Sequence, residues 1–179
     1  MKKICIDPGH GGRDPGAVAE GIKEKDINLA IALKLMPLLI GAGHKIILTR
    51  STDEFIDLYN RAECANSAGS DIFISIHNNA ADNPNAQGTE TLFYKGSIKG
   101  EKWARTIQNK LIKKLQRPDR GVKPRDNLIV LKYTAMPAVL IECAFLTNST
   151  ERKLLQDIGF QLLIAEGIME GIEEYFQEV

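Results

Sequence analysis

Two of the three histidines in this chain stand just behind short apolar runs. His10 follows residues 4–7 through a Pro8-Gly9 turn, and His77 closes the run DIFISI at residues 71–76. Zinc accepts imidazole nitrogen at about 2.0–2.1 Å and carboxylate oxygen at about 2.0–2.2 Å, and two histidines plus one carboxylate leave a fourth position for hydrolytic chemistry. One histidine behind a strand is ordinarily a hydrogen-bonded loop residue. Two at what should be a common sheet edge fit that reading less well. His44, between Gly43 and Lys45 at the opposite end of a strand, reads as a surface residue. The carboxylate is harder to choose, because Asp14, Glu20, Glu24 and Asp26 all lie in or near the first loop. Glu24, flanked by lysines just ahead of a helix, could reach back across that loop or be a solvated charge.

Glu142 interrupts the apolar run AVLIECAF. A buried carboxylate is costly unless it is paired or bound to metal. Burial also raises its pKa toward the range in which a glutamate can take and return a proton near neutrality. The competing expectation is a salt bridge to a buried arginine, Arg61 or Arg50. Other catalytic signatures are missing: there is no H-E-x-x-H and no G-x-S-x-G. Gly9-His10-Gly11 begins like a dinucleotide loop, but Asp14 stands where the third glycine should fall, and no Walker sequence is present.

The elements that must position these groups alternate between strand and helix. Residues 4–7 read as a buried strand, followed by a loop with glycines at 9, 11, 12, 16 and 21. Residues 26–40 read as a helix in which Pro37 predicts a kink or an early end. A strand at 45–49 precedes a helix over about 54–68, with Asp53 as its cap. Residues 71–76 form a strand, and 89–94 alternate like a strand with one face more exposed. Residues 98–115 read as a helix, 128–131 and 138–141 as two further strands. Asn148 and Glu151 have capping-box spacing for a helix toward Asp157, and a final helix follows Gly159 to about Phe176. This alternation predicts an α/β fold with a largely parallel sheet, whose ligands sit beyond the carboxyl ends of the strands. His10, His77 and Glu142 each follow or end a strand at that edge.

Composition bounds the rest. The 179 residues suit one domain, 1–179, with 44% hydrophobic and 26% charged residues. Lys+Arg and Asp+Glu number 23 each, so no global field draws nucleic acid or anionic lipid. Cys5, Cys64 and Cys143 form no C-x-x-C pair and read as reduced, buried side chains. No run approaches a membrane span, and Met1-Lys2-Lys3 enters a strand at once, leaving no room for a signal peptide. Either the chain is an excised domain or its protein leaves the cell by another route.

At these residues the sequence resembles the zinc-dependent N-acetylmuramoyl-L-alanine amidases, a family that includes bacterial autolysins and phage endolysins. The matching segments are IDPGHGGRDPGA (6–17), GIKEKDINL (21–29), LTRSTD (48–53), SIHNNA (75–80), GTET (88–91), DRGVK (119–123) and MPAVLIECAFLTN (136–148). They fall in the family's order along nearly the whole chain. The resemblance implies one Zn2+ per chain held by His10, Glu24 and His77, Glu142 as catalytic general base and acid, and Asn79 and Glu90 as substrate-binding residues. It implies a twisted, mixed but largely parallel six-stranded sheet flanked by helices on both faces. It also implies a peptidoglycan substrate, cut at the amide between the lactyl group of N-acetylmuramic acid and the L-alanine of the stem peptide. Action at the bacterial cell wall, a monomeric state and a separate wall-binding domain outside this chain are further expectations. Ile-Glu-Cys-Ala-Phe replaces the family's more usual Val-Glu-x-Gly-Phe. A zinc peptidase cutting within the stem peptide and a non-catalytic wall-binding module are the alternatives.

Overall fold

The computed structural model describes residues 1–177. In chain order the elements are β1 (Lys3–Pro8), β2 (Val18–Ala19), β3 (Ile22–Lys23), α1 (Glu24–Gly41), β4 (Lys45–Leu48), α2 (Leu58–Ser67), β5 (Ile72–Asn79), β6 (Thr89–Tyr94), α3 (Ile98–Leu115), β7 (Asp119–Arg125), α4 (Ile129–Lys132), β8 (Ala138–Phe145), α5 (Ser149–Gln156) and α6 (Ile158–Gln177). Six strands form one mixed sheet in the order β4-β1-β5-β8-β6-β7, and β2 and β3 make a small hairpin beside it. β4, β1, β5 and β8 run parallel; β6 pairs antiparallel with β8 and parallel with β7. The reversal matters for the site. It brings the start of β6 and β7 to the same edge as the ends of β1, β5 and β8.

Strand side chains alternate between faces, and that period sorts the core into two layers. Ile4, Ile6, Ile72, Ile74, Ile76, Val139 and Ile141 face α1, α3 and α6, where Ile31, Leu35, Trp103, Ile107, Ile164 and Ile168 close the larger core. Cys5, Phe73, Leu92, Ala138 and Leu140 face the other way, onto Ala65 of α2 and Val130 and Leu131 of α4. Helices therefore cover both faces, as an α/β sheet buried on both sides requires. Among the described residues no helix is long and apolar enough to cross a membrane.

Several local expectations give way to tertiary context. Residues 128–131 form not a strand but the cap and first residues of α4, whose Val130 and Leu131 fill the smaller core. The sixth strand is instead the charged segment 119–125, which carries no apolar alternation because it is the half-exposed sheet edge. β6 is buried along nearly its whole length, since α3 covers one face and α4 the other. Helix α1 runs through Pro37 to Gly41. Pro37 is exposed, and so is Leu33, whose carbonyl loses its intrahelical partner there and can turn to water. Asp53 caps nothing: it accepts from Gly12 N and Lys25 Nζ, while Asp57 caps α2 through Tyr59 N. Asn148 does cap α5, accepting from Thr150 N and Glu151 N. His44 is tucked in rather than exposed, with its Nε2 2.5 Å from Glu173 and its ring stacked on Phe176.

Candidate metal and catalytic site

The loop behind β1 is fixed by buried arginines. Asp7 accepts from Arg61 Nη1 at 2.8 Å, from Thr49 Oγ1 at 2.5 Å and from Ser75 Oγ at 2.7 Å. Arg61 also donates to the carbonyls of Pro8 and His10, at 2.8 and 2.7 Å. Arg50 donates to those of Pro8, Gly9 and Lys25, each at 2.9 Å. Two nearly inaccessible guanidinium groups thus hold the carbonyls of Pro8, Gly9 and His10 and tie them to the start of α1. The stretch includes His10 at φ 61°, a left-handed conformation uncommon for residues other than glycine. Such conformations persist where surrounding bonds over-determine them, and here the bonds aim the His10 ring inward.

Glu24, the first residue of α1, is the carboxylate that meets the histidines. Its Oε2 lies 3.1 Å from His10 Nε2 and its Oε1 3.0 Å from His77 Nδ1. Ala17 N donates to Oε2, and Asn78 N and Asn28 Nδ2 donate to Oε1. The other three loop acids go elsewhere. Asp14 binds the outer nitrogen of His10, Nδ1, at 2.8 Å; Glu20 pairs with Arg152 in the open; Asp26 is exposed. The two imidazole rings stand edge to face with centroids 4.9 Å apart. Two glycines make this approach possible. A Cβ on Gly9 would fall 2.2 Å from the His77 ring, and one on Gly16 would fall 2.5 Å from Glu24 Oε2.

One ligand atom from each of His10, Glu24 and His77 lies within 4.8 Å of the others. Tetrahedral zinc with bonds near 2.1 Å needs its ligand atoms roughly 3.4 Å apart. Each histidine stands within a few tenths of an ångström of that spacing from a different Glu24 oxygen, His10 from Oε2 and His77 from Oε1, so a small rotation of the carboxylate would bring the three groups to one cation, and the donor set fits. Asp14 on His10 Nδ1 is the outer partner that commonly fixes the ring and tautomer of a metal-binding histidine. Burial lowers the His10 pKa, but the bonds and charges of Glu24 and Asp14 outweigh it and hold the ring at about 9. Burial pushes Glu24 up, and its bonds to His10 and His77 outweigh that, holding it well below the carboxylate range.

Glu142 sits across the β5–β8 ladder, paired in register with His77. Neither arginine weighed as its partner reaches it, since both are engaged on the first loop. Its Oε2 is enclosed and has no hydrogen-bond partner among the described residues. Burial, reinforced by the charges of Glu24 and Glu90 and opposed by those of the histidines, raises its pKa to about 7. A cleft of about 410 Å³ opens on the α2 and α4 side of the histidines, walled by Phe55, Leu58, Ile129 and Leu140.

On the other flank Glu90 pairs in register with Glu142. Glu90 is buried, and the protein itself engages both its oxygens: Asn79 Nδ2 donates to Oε1 at 3.2 Å, and Arg120 Nε and Lys123 Nζ donate to Oε2 at 2.8 and 2.5 Å. Sequence reasoning missed Asp7, Arg120 and Lys123, and it weighed Arg50 and Arg61 as buried partners of Glu142 rather than of the first loop. The one available signal was that Asp7, like Glu142, is a charge inside an apolar run.

Comparisons with known proteins give the family. A family model described as N-acetylmuramoyl-L-alanine amidase matches residues 4–174. The chain is 43% identical over 183 residues to an endolysin of Bacillus phage SPP1, covering 97% of this chain and 65% of that protein. It is 39% identical over 177 residues to the N-acetylmuramoyl-L-alanine amidase LytC of Bacillus subtilis, covering 97% of this chain but 35% of LytC. Among solved structures, an N-acetylmuramoyl-L-alanine amidase from Clostridium difficile 630 superposes with a TM-score of 0.95 at 36% identity, over 98% of this chain and 97% of that one. The sheet order, the edge on which the polar groups gather and these matches lead to one conclusion: the chain belongs to the N-acetylmuramoyl-L-alanine amidase family.

Proposed function

We propose that this chain hydrolyses the amide between the lactyl group of N-acetylmuramic acid and the L-alanine of the peptidoglycan stem peptide, using one Zn2+ held by His10, Glu24 and His77. The observation that carries the reading is the enclosed, unpartnered Oε2 of Glu142 beside that triad. An orphaned buried carboxylate oxygen costs stability with no structural return, and such groups concentrate where proton transfer is needed. Zinc, when bound, would polarise the amide carbonyl and lower the pKa of a water.

The chain's own residues do the rest. Glu142 takes the proton of the attacking water as its oxygen bonds to the carbonyl carbon. It returns that proton to the nitrogen as the C–N bond breaks, leaving a lactyl carboxylate and a free L-alanine amine. A pKa near neutrality suits a group that must both accept and donate. Asp14 holds the His10 ring in orientation through Nδ1. Asn79, at the end of β5, turns its amide toward Glu90, and we assign it a substrate contact on that flank of Glu142.

Purified sacculi digested with the zinc-loaded protein and analysed by mass spectrometry test this directly. The expected products are glycan strands stripped of peptide and intact peptides with a free L-alanine amine. Fragments cut within the stem peptide would replace this reading with a peptidase, and binding without release with a wall-binding module.

A further inference from the structure

Asn28 stands one helical turn after Glu24 on α1, so the two side chains share a face of that helix. Asparagine is a poor helix former, yet here it is fully buried. Its hydrogen bonds account for its presence. Nδ2 donates to Glu24 Oε1 and to the Gly9 carbonyl, both at 3.2 Å, and Oδ1 accepts from Asn78 Nδ2 at 2.8 Å. Gly9 precedes His10; Asn78 follows His77 and donates its own N–H to Glu24 Oε1 at 3.1 Å. Apart from Glu24 itself, Asn28 is the one side chain among the described residues whose hydrogen bonds reach all three segments of the metal site. Arg50 ties the first loop to α1 but does not reach β5, and Asp7 reaches β5 but not α1.

Charge fixes the direction of this network. An ionised carboxylate only accepts, so the Asn28 amide turns its NH2 group to Glu24 and its oxygen to Asn78. Asn78 must then present its own NH2 group, and its Oδ1 is left enclosed with no donor among the described residues. Turning either amide over would set oxygen against oxygen. A buried oxygen without a partner costs stability, and this network keeps one.

We infer that Asn28 is the positioning residue of the metal site, a single amide that holds Glu24 and the backbones beside His10 and His77 in register before a cation arrives. This rests on the reading of His10, Glu24 and His77 as metal ligands. The three groups come from separate stretches of chain, so without such a tie cation binding would have to order all three at once. Partners one bond out from the ligands govern metal affinity as well as ligand orientation. Asn28 acts through Glu24 and touches no reacting atom.

Competition with a chromophoric chelator reads zinc affinity in the folded protein and so separates positioning from stability. Asn28→Ala should weaken zinc binding about 10–100-fold. Asn78→Ala cuts one tie and leaves the Asn28 and backbone contacts to Glu24, so it should weaken binding by less. Gln161→Ala is the control: it removes a buried amide that donates to the Leu155 carbonyl, on a helix that carries none of the site groups. It should lower the urea midpoint and leave zinc affinity unchanged. With Co2+ in place of zinc, visible absorption reports ligand geometry; the bands should shift in Asn28→Ala and stay fixed in Gln161→Ala. In the metal-free wild type the Asn28 side-chain NH2 protons should exchange slowly with solvent, a measurement that needs no variant. Rapid exchange there, or a folded Asn28→Ala that binds zinc as tightly as wild type, overturns the inference. Wild type that takes up no zinc overturns the metal reading on which it depends.

Discussion

Replacing Glu142 by glutamine should make the metal-free protein more stable while abolishing most of its activity, and the stability gain should depend on pH in a defined way. Burial is the main cause of the rise in the Glu142 pKa from 4.5 to about 7. Between those two values the folded protein keeps a proton that the unfolded chain has released. Stability therefore falls as pH rises from about 4.5 through about 7, and it is flat beyond. At about 1.4 kcal/mol per pH unit, the rise amounts to roughly 3 kcal/mol. Glutamine has nearly the shape of the protonated acid and no charge to desolvate. Urea denaturation of chelator-treated wild type and Glu142→Gln at pH 4.5, 6 and 8 should give a difference that starts near zero and grows to roughly 3 kcal/mol in favour of the variant. Both proteins contain the same His10, Glu24 and His77, so comparing them isolates Glu142. With zinc restored, the variant should bind the metal yet lose about 10²–10⁴-fold in turnover, the range assigned to a positioned acid–base group. A stability difference that stays flat across this pH range would refute the claim that Glu142 is desolvated and unpartnered.

Three further outcomes follow from the packing around the site. His10→Ala and His77→Ala should each lower the zinc content from one per chain, read by elemental analysis after dialysis. Arg61→Ala should cost about 3–5 kcal/mol in urea denaturation, because it strands Asp7 without its buried partner; a loss below 1 kcal/mol would show that the pair is not dry. Gly9→Ala places a methyl 2.2 Å from the His77 ring, so it should weaken zinc affinity at least tenfold in competition with a chromophoric chelator while the circular dichroism of the helices persists.

Much of this protein was legible before any coordinates. Apolar runs ending at His77 and Glu142 imposed a strand on each, and the glycines between 9 and 21 required a loop where His10 stands. Those patterns are local: the short apolar run of Ile72, Phe73, Ile74, Ser75 and Ile76, rich in β-branched and aromatic residues, favours extended backbone wherever it lies, and a charge within AVLIECAF has few uses apart from chemistry or pairing. What could not be read was anything set by partners distant in the chain. Asp14, Glu20, Glu24 and Asp26 were equivalent as loop acids until the β2–β3 hairpin and the start of α1 delivered Glu24 between the rings and left Asp14 on the outer nitrogen of His10. Residues 128–131 read as a strand because strand and short buried helix share an apolar composition, and only the presence of β6 and β7 at that sheet edge assigned them to α4. The hydrophobic pattern thus determined which segments are strands and where polar groups end them. The order and direction of the strands decided which of those groups meet, because long-range pairing between residues such as Glu90 and Glu142 leaves no periodic trace in the sequence.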